Sequence, residues 1–79
     1  MSIMSRQVYE LVEKIEKLLL SEGTLRRKDI VEKLHCSRAS AYNALLILLG
    51  ERRVERRRML DLETGRPTVV YYARRDQLD

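Results

Sequence analysis

The feature that most constrains this fold is a change of hydrophobic periodicity near Val54. Before it, apolar residues recur at the three- and four-residue spacing of amphipathic helices. After it come two β-prone runs, 54–62 and 68–72, which flank a segment at 63–67 that contains the Gly and Pro of a turn. The sequence therefore predicts helices followed by a single β-hairpin.

The helical part divides into three segments. An amphipathic helix is predicted over about residues 5–21, and Gly23 ends it. A brief extended step at 24–25 leads to a second helix at about 26–34, and a third helix follows at about 38–52. With the hairpin at about 54–73, the 79 residues form one small domain, because the chain is too short for a second core.

The link between the second and third helices is only three or four residues long. His35 is predicted to follow the second helix in the left-handed conformation, which His tolerates better than a β-branched residue does. Ser37 is a candidate N-cap, because its hydroxyl can accept a hydrogen bond from the free amides of the next turn. The pattern therefore indicates two short helices joined by a tight turn.

Positive charge is concentrated in the middle of the chain. The formal net charge is +4, but residues 24–60 carry ten basic and four acidic side chains, and the two flanking segments are each slightly acidic. A local basic surface releases counterions when it meets phosphate, which favours a nucleic acid as partner. Most of the bases are Arg, and the alternative use of an Arg- and Glu-rich surface is a network of ion pairs.

Several classes of function are disfavoured. One Cys and one His are too few for a disulfide framework or a metal site, so Cys36 is predicted to be a small buried residue and no cofactor is expected. No carboxylate pair has catalytic spacing and no Gly-rich phosphate loop precedes a helix, which argues against an enzyme. No signal peptide or long apolar run is evident, so we expect a cytoplasmic protein without a membrane partner or a small-molecule ligand.

The order of elements resembles the winged helix-turn-helix family of DNA-binding regulators, over roughly residues 8–74. Around the tight turn, Leu-His-Cys-Ser at 34–37 matches the family pattern; later, Val-Glu-Arg at 54–56 and Gly-Arg-Pro at 65–67 match the start and tip of its wing. Small stand-alone regulators of archaeal and archaeal-virus type are similar. The sequence departs from the pattern at Arg26, where a Ser or Thr cap is usual, and at 52–53, where a Gly and an apolar residue are usual.

The resemblance implies an α+β fold, mainly α with a small β-hairpin, in which the third helix is the recognition helix and the hairpin is the wing. If that helix enters the major groove, its apolar positions must face the core and the opposite face reads the bases. The residues on that face are Arg38, Ala39, Tyr42 and Asn43. Arg38 suits guanine and Asn43 suits adenine, although Arg38 can instead bind phosphate.

Other residues are predicted to hold the DNA backbone. Ser37 and Ser40 lie at a helix N-terminus, which attracts phosphate, although Ser37 as a simple N-cap would look the same. Arg66 is predicted at the wing tip, near the minor groove. Further phosphate contacts are expected from Arg27 and Lys28 in the second helix and from Arg57 and Arg58 in the hairpin. The rest of the basic run is expected to pair with Glu51, Glu55 or Asp61, or to stay solvated.

An apolar run at 44–49 exceeds what one face of the third helix can bury. Leu46 and Leu49, with Ile3 and Met4, therefore predict a homodimer on a palindromic site, against the alternative of a thicker monomer core. A sequence-specific regulator of double-stranded DNA is the leading interpretation. The competing interpretations are an architectural or replication-associated nucleic-acid binder and a winged-helix module that binds a protein.

Overall fold

The computed structural model describes residues 6–74, which form three helices and a three-stranded sheet. In chain order the elements are α1 (Arg6–Glu22), β1 (Leu25–Arg26), α2 (Arg27–Leu34), α3 (Arg38–Gly50), β2 (Val54–Asp61) and β3 (Arg66–Ala73). The sheet is antiparallel, with strand order β1-β3-β2. The predicted winged helix-turn-helix architecture, with β2 and β3 as the wing, is confirmed.

The core lies where α1 crosses α3 against the base of the sheet. The helical spacing of apolar residues in α1 directs Ile15 and Leu19 inward, and Leu45 and Leu48 of α3 meet them. Ile30 of α2 closes the cluster, and all five side chains are at most 1% exposed. This packing fixes one flank of α3 inside the protein and leaves the opposite flank at the surface.

The helix ends follow from local backbone geometry. His35 adopts φ 53°, so the predicted left-handed residue after α2 is confirmed. By contrast, α3 ends at Gly50, two residues earlier than predicted. Arg52 takes φ 60°, and the backbone N–H groups of Arg52 and Arg53 donate to the carbonyls of Leu49 and Leu48 at 3.1 and 2.9 Å. This Schellman motif stops the helix although Arg replaces the usual Gly.

The turn of the wing also differs from its predicted position. Residues 62–65 form it, and β3 begins at Arg66, which pairs with Asp61. Pro67 therefore lies within β3, opposite Leu60. Because β1 pairs with β3 only at 70–71, Pro67 has a strand neighbour on one side alone, where Pro is tolerated.

Within residues 6–74, no helix is both long enough and apolar enough to cross a membrane.

Candidate nucleic-acid interface

A groove runs between the N-terminus of α2, the N-terminus of α3 and the wing. Five basic and two acidic side chains line it, together with apolar residues of β3. Arg27 and Lys28 contribute from α2, Arg38 from α3 and Arg58 from β2. Residues predicted separately as phosphate or base contacts thus share one concave surface, which we call the basic groove.

The outer flank of α3 lies beside the basic groove. Ala41 and Leu45 are completely buried, whereas Ala39 and Asn43 are exposed on the opposite side of the helix. The predicted orientation of α3 is therefore present in the structure. Whether these exposed residues contact bases stays a prediction.

Tyr42 connects α3 to α2. Its side chain is exposed, and the guanidinium carbon of Arg27 lies 5.5 Å from the centroid of its ring. This distance is within the range of a cation–π contact. Arg27 and Tyr42 therefore restrain each other at the edge of the basic groove.

Ser37 is the N-cap of α3. Its hydroxyl accepts a hydrogen bond from the Ser40 backbone N–H at 3.0 Å and donates to the Ser40 hydroxyl at 2.9 Å. Both serines line a second groove, between α1 and the helix-turn-helix, with residues such as Leu11 and Lys14. The Ser37 hydroxyl thus caps α3, and both serines lie on the side of this helix that faces α1, outside the lining of the basic groove.

The three consecutive arginines of β2 do not share one face, because strand alternation turns Arg57 away from Arg56 and Arg58. Arg58 lines the basic groove, whereas Arg57 lies over the Tyr72 ring with 5.7 Å from guanidinium carbon to centroid. Arg56 lines a separate depression beside the end of α3. The prediction grouped Arg57 with Arg58, but the structure brings only Arg58 into the basic groove. Arg66 is exposed in the first pair of the hairpin ladder, not in the turn as predicted.

Arg26 is held by carboxylates. Its backbone N–H donates to Asp29 Oδ2 at 3.1 Å, which is the bond that the third helical residue makes to the N-cap residue in a capping box. Arg26 itself has no acceptor with which to replace the Ser or Thr cap that the resemblance implied. Its guanidinium also donates to both oxygens of Asp29, at 3.0 and 3.1 Å, and to Asp61 Oδ2 at 2.8 Å. The hydrogen bond from Arg26 lowers the pKa of Asp29 below its usual range.

Arg53 is the second arginine that carboxylates hold. Its guanidinium donates to Glu16, to Glu51 at 2.8 Å and to Glu13 at 3.2 Å. These bonds, with that to Glu16 the strongest, raise the pKa of Arg53 above its usual range. The pairing with Glu51 is one of the predicted alternatives, whereas no local pattern indicates the two partners in α1. Arg53 thereby ties the start of β2 to α1.

The other cations predicted to contact DNA include three that line the basic groove, and Arg66 in the wing, and they are not neutralised in this way. Among residues 6–74, no carboxylate forms an ion pair with Lys28, Arg38, Arg58 or Arg66. The acidic residues that line the basic groove are Glu32 and Asp61, and Asp61 is already paired with Arg26. The basic groove therefore presents positive charge that is available to a partner.

The residues predicted for a dimer give a mixed result. Leu46 is 45% exposed, as expected for an uncovered apolar side chain. Leu49 is half-buried and packs against the core of its own chain, which removes part of the reason for a partner. Ile3 and Met4 lie outside the described residues. Cys36 is half-buried, and the described residues contain no cluster of potential metal ligands.

Comparison with known proteins supports the fold. No family model and no curated protein sequence matches the chain. Among solved structures, the chain is similar to the reduced form of the transcriptional regulator YodB from B. subtilis, with a TM-score of 0.70 and 20% sequence identity. The similarity covers 96% of this chain and 79% of that one. It shows that the chain shares the winged helix-turn-helix fold of that structure.

Proposed function

We propose that this protein is a sequence-specific transcriptional regulator that binds double-stranded DNA through α3 and the wing. The observation that carries the proposal is the basic groove, in which no carboxylate of residues 6–74 pairs with Lys28, Arg38 or Arg58, beside the exposed flank of α3. Separate segments of the chain contribute these cations, and the fold gathers them on one side. Such an arrangement matches the row of phosphates along a duplex.

In this proposal the exposed flank of α3 enters the major groove. Arg38 donates a forked pair of hydrogen bonds to guanine N7 and O6, and Asn43 makes a paired contact with adenine N6 and N7. The methyl group of Ala39 can contact the thymine methyl group. Arg27 and Lys28, at the N-terminus of α2, hold the flanking phosphates, where the helix dipole adds to their charge.

The wing extends the contact toward the adjacent minor groove. Arg58 faces the basic groove and is suited to a phosphate, and Arg66 is exposed next to the turn. A narrow minor groove concentrates negative potential, which favours an inserted Arg. Arg57 lies on the other face of the hairpin, so we assign it a weaker, long-range role than Arg58.

The proposal includes a homodimer on a palindromic site, supported by the exposure of Leu46 in the C-terminal half of α3, beyond the reading residues at 38–43. Sedimentation equilibrium of the protein with and without DNA tests it. A dimer that Leu46→Glu dissociates supports this surface. If Leu46→Glu weakens DNA binding with no change in mass, Leu46 belongs to the DNA interface instead.

The first experiment is selection of binding sites from random duplex DNA at physiological salt. An enriched inverted repeat supports a dimeric, sequence-specific regulator. Retention that falls steeply with salt, without an enriched sequence, supports a non-specific binder. No retention at all contradicts the proposal and leaves a protein partner as the better interpretation.

Variants then test the assignment of residues. Arg38→Ala and Asn43→Ala should each weaken binding by about 1–3 kcal/mol and relax the preference at one base pair, while Lys28→Ala should weaken all sequences alike. The measurement is the affinity of each variant for the selected site and for single-base variants of it. If all three variants behave alike, the reading face assigned to α3 is wrong.

A second candidate function is supported by the wing itself. Leu62 is 89% exposed in the turn and Leu60 is 60% exposed in β2. Architectural proteins insert such apolar side chains between base steps and bend the duplex. In that case Leu62→Ser would reduce DNA bending in a circularisation assay, and the selection experiment would recover flexible steps without a defined sequence.

A further inference from the structure

Asp61 is a carboxylate beside a groove whose other charged groups are mainly basic. It is the last residue of β2, at the far end of the wing, yet its side chain is only 13% exposed. Its Oδ2 accepts from the Arg26 guanidinium at 2.8 Å, across 35 residues of sequence. Its Oδ1 accepts from the Glu63 backbone N–H at 2.9 Å, which shapes the turn. Both oxygens of this carboxylate therefore have a structural partner.

Arg26, the partner of Asp61, is itself held in place by the sheet and by α2. Its backbone pairs with Val70 as part of β1, and its guanidinium is fixed on Asp29 at the first turn of α2. The bond to Asp61 therefore connects the end of the wing to a residue that the sheet and α2 both hold in place.

The wing has little other support away from its base. The buried residues of the hairpin are Val54, Val70, Tyr71 and Ala73, which all lie near the helices, while residues 56–60 are exposed. In the described part of the chain, the ion pairs that join the outer wing to the helical body run from Arg26 to Asp61 and to Glu63. The second of these is long, at 3.9 Å, and Glu63 is 82% exposed.

From this geometry we infer that the Arg26–Asp61 ion pair sets the angle of the wing against α2, and thereby positions Arg58 and Arg66 for the same duplex that α3 binds. The inference rests on the proposed DNA-binding function. Asp61 is a positioning residue in this view: it improves DNA binding although its own charge repels phosphate. A mobile wing would bind only in its competent orientation, and the apparent affinity falls with the fraction of molecules in that orientation.

The direction in which one substitution changes the DNA affinity distinguishes this positioning role from simple electrostatic repulsion. Asp61→Asn removes a negative charge near the basic groove, which by charge alone should strengthen DNA binding. The substitution leaves one acceptor oxygen for two donors, the Arg26 guanidinium and the Glu63 N–H, and it removes the ion pair with Arg26 in either orientation of the amide. The wing contact is therefore weakened, and the inference predicts weaker binding.

Glu63→Gln is the matched control, because it removes the same charge from the same turn without breaking a short contact. We expect Asp61→Asn to weaken binding to the selected duplex about fivefold, and Glu63→Gln to leave it unchanged or to strengthen it about twofold. In an Arg26→Gln background, Asp61→Asn should no longer weaken binding. Equal effects of Asp61→Asn and Glu63→Gln would overturn the inference.

A second measurement does not depend on DNA. Spin labels at Lys17→Cys in α1 and Leu62→Cys in the wing, in a Cys36→Ser background, report the wing angle as a distance distribution. Asp61→Asn should broaden that distribution and Glu63→Gln should not, while circular dichroism confirms that each variant is folded. If the unsubstituted protein binds no duplex, the proposed function fails and the label distances still decide the wing angle. An unchanged distribution in Asp61→Asn overturns the inference.

Discussion

Arg53 and Arg38 come from the same basic stretch of sequence and have opposite surroundings. Arg53 is 28% exposed at its side chain and is held by glutamates from α1 and from the end of α3. Arg38 is exposed at the start of α3, and no described carboxylate pairs with it. The difference shows that the net charge of a segment overstates the charge available to a partner. The fold divides the arginines into bound ones, which hold elements together, and open ones, which face the basic groove.

The bound arginines sit at junctions between elements. Arg26 joins β1 and α2 to the wing, and Arg53 joins the start of β2 to α1. Both make their longest-range contacts with carboxylates at least 35 residues away. Because these pairs are partly shielded from water, they contribute more than ion pairs on an open surface do.

The largest expected effect is on stability, from Arg53→Ala. The substitution removes three charge-assisted contacts and leaves Glu13, Glu16 and Glu51 close together without their cation. We expect the free energy of unfolding to fall by about 2 kcal/mol, measured by denaturant titration.

Arg38→Ala is the matched control, and we expect its unfolding free energy to change by less than about 0.5 kcal/mol. DNA binding should show the reverse order: folded Arg53→Ala should keep most of its affinity, and Arg38→Ala should lose it. If Arg38→Ala destabilised the fold as much as Arg53→Ala does, the division into bound and open arginines would break down.

The next prediction compares two neighbours on β2. Arg58 lines the basic groove and Arg57 lies on the opposite face against Tyr72, although both are exposed. We expect Arg58→Ala to weaken DNA binding about fivefold and to reduce the slope of log affinity against log salt by about one, as loss of one phosphate contact does. Arg57→Ala should change both quantities less, and equal losses would mean that the wing approaches DNA with its other face.

Arg52 adds a third kind of arginine, whose backbone matters more than its charge. Its φ of 60° is costly for any residue with a Cβ atom and natural for Gly. We therefore expect Arg52→Gly to raise the unfolding free energy by about 0.5–1 kcal/mol. Arg52→Ala separates the backbone from the side chain, because it removes the same guanidinium and keeps the strained φ. If Arg52→Gly and Arg52→Ala both raised the unfolding free energy, the destabilising feature would be the Arg52 side chain and not its φ.

The parts of the fold that local chemistry controls could be predicted from the sequence. The Ser37 cap needs only the adjacent turn of α3, and the left-handed His35 needs only the end of α2. The division of apolar and exposed flanks along α3 follows from helical spacing, which is why Ala39 and Asn43 were predicted on the outer side. The candidate site on α3 is therefore largely a local property.

The wing turn shows why other parts could not. Turn propensity favours 63–67, but Gly65 is left-handed and its N–H donates to the Asp61 carbonyl at 2.7 Å, which ends the turn at residue 65, two residues earlier than predicted. The position of the Asp61 side chain depends on Arg26, and that of the Arg53 side chain depends on Glu16. These partners are 35 and 37 residues apart in sequence, so no local pattern indicates the contacts. Which arginines are open was therefore beyond prediction, because it depends on where tertiary packing places the carboxylates.

The last prediction uses acid, which protonates a carboxylate and so breaks an ion pair of a bound arginine without a substitution. The hydrogen bond from Arg26 lowers the pKa of Asp29 relative to the unfolded chain, so this pair stabilises the protein above about pH 3.9, the ordinary value for Asp, and the contribution is lost as pH falls through the lowered pKa. We expect the unfolding temperature to fall less steeply below pH 4 in Asp29→Asn than in the unsubstituted protein.

The effect should be the smallest of the four, because acid here tests the single Arg26–Asp29 pair, whereas Arg53→Ala removes contacts with three glutamates, and water screens part of the attraction at both sites. Glu10→Gln is the control: Glu10 is exposed on α1 and forms no ion pair with the described residues, so its loss should leave the acid dependence unchanged. If the unfolding temperature of Asp29→Asn depended on pH in the same way as that of Glu10→Gln and of the unsubstituted protein, the Arg26–Asp29 contact would contribute nothing to stability. The comparison between bound and open arginines would then rest on Arg53.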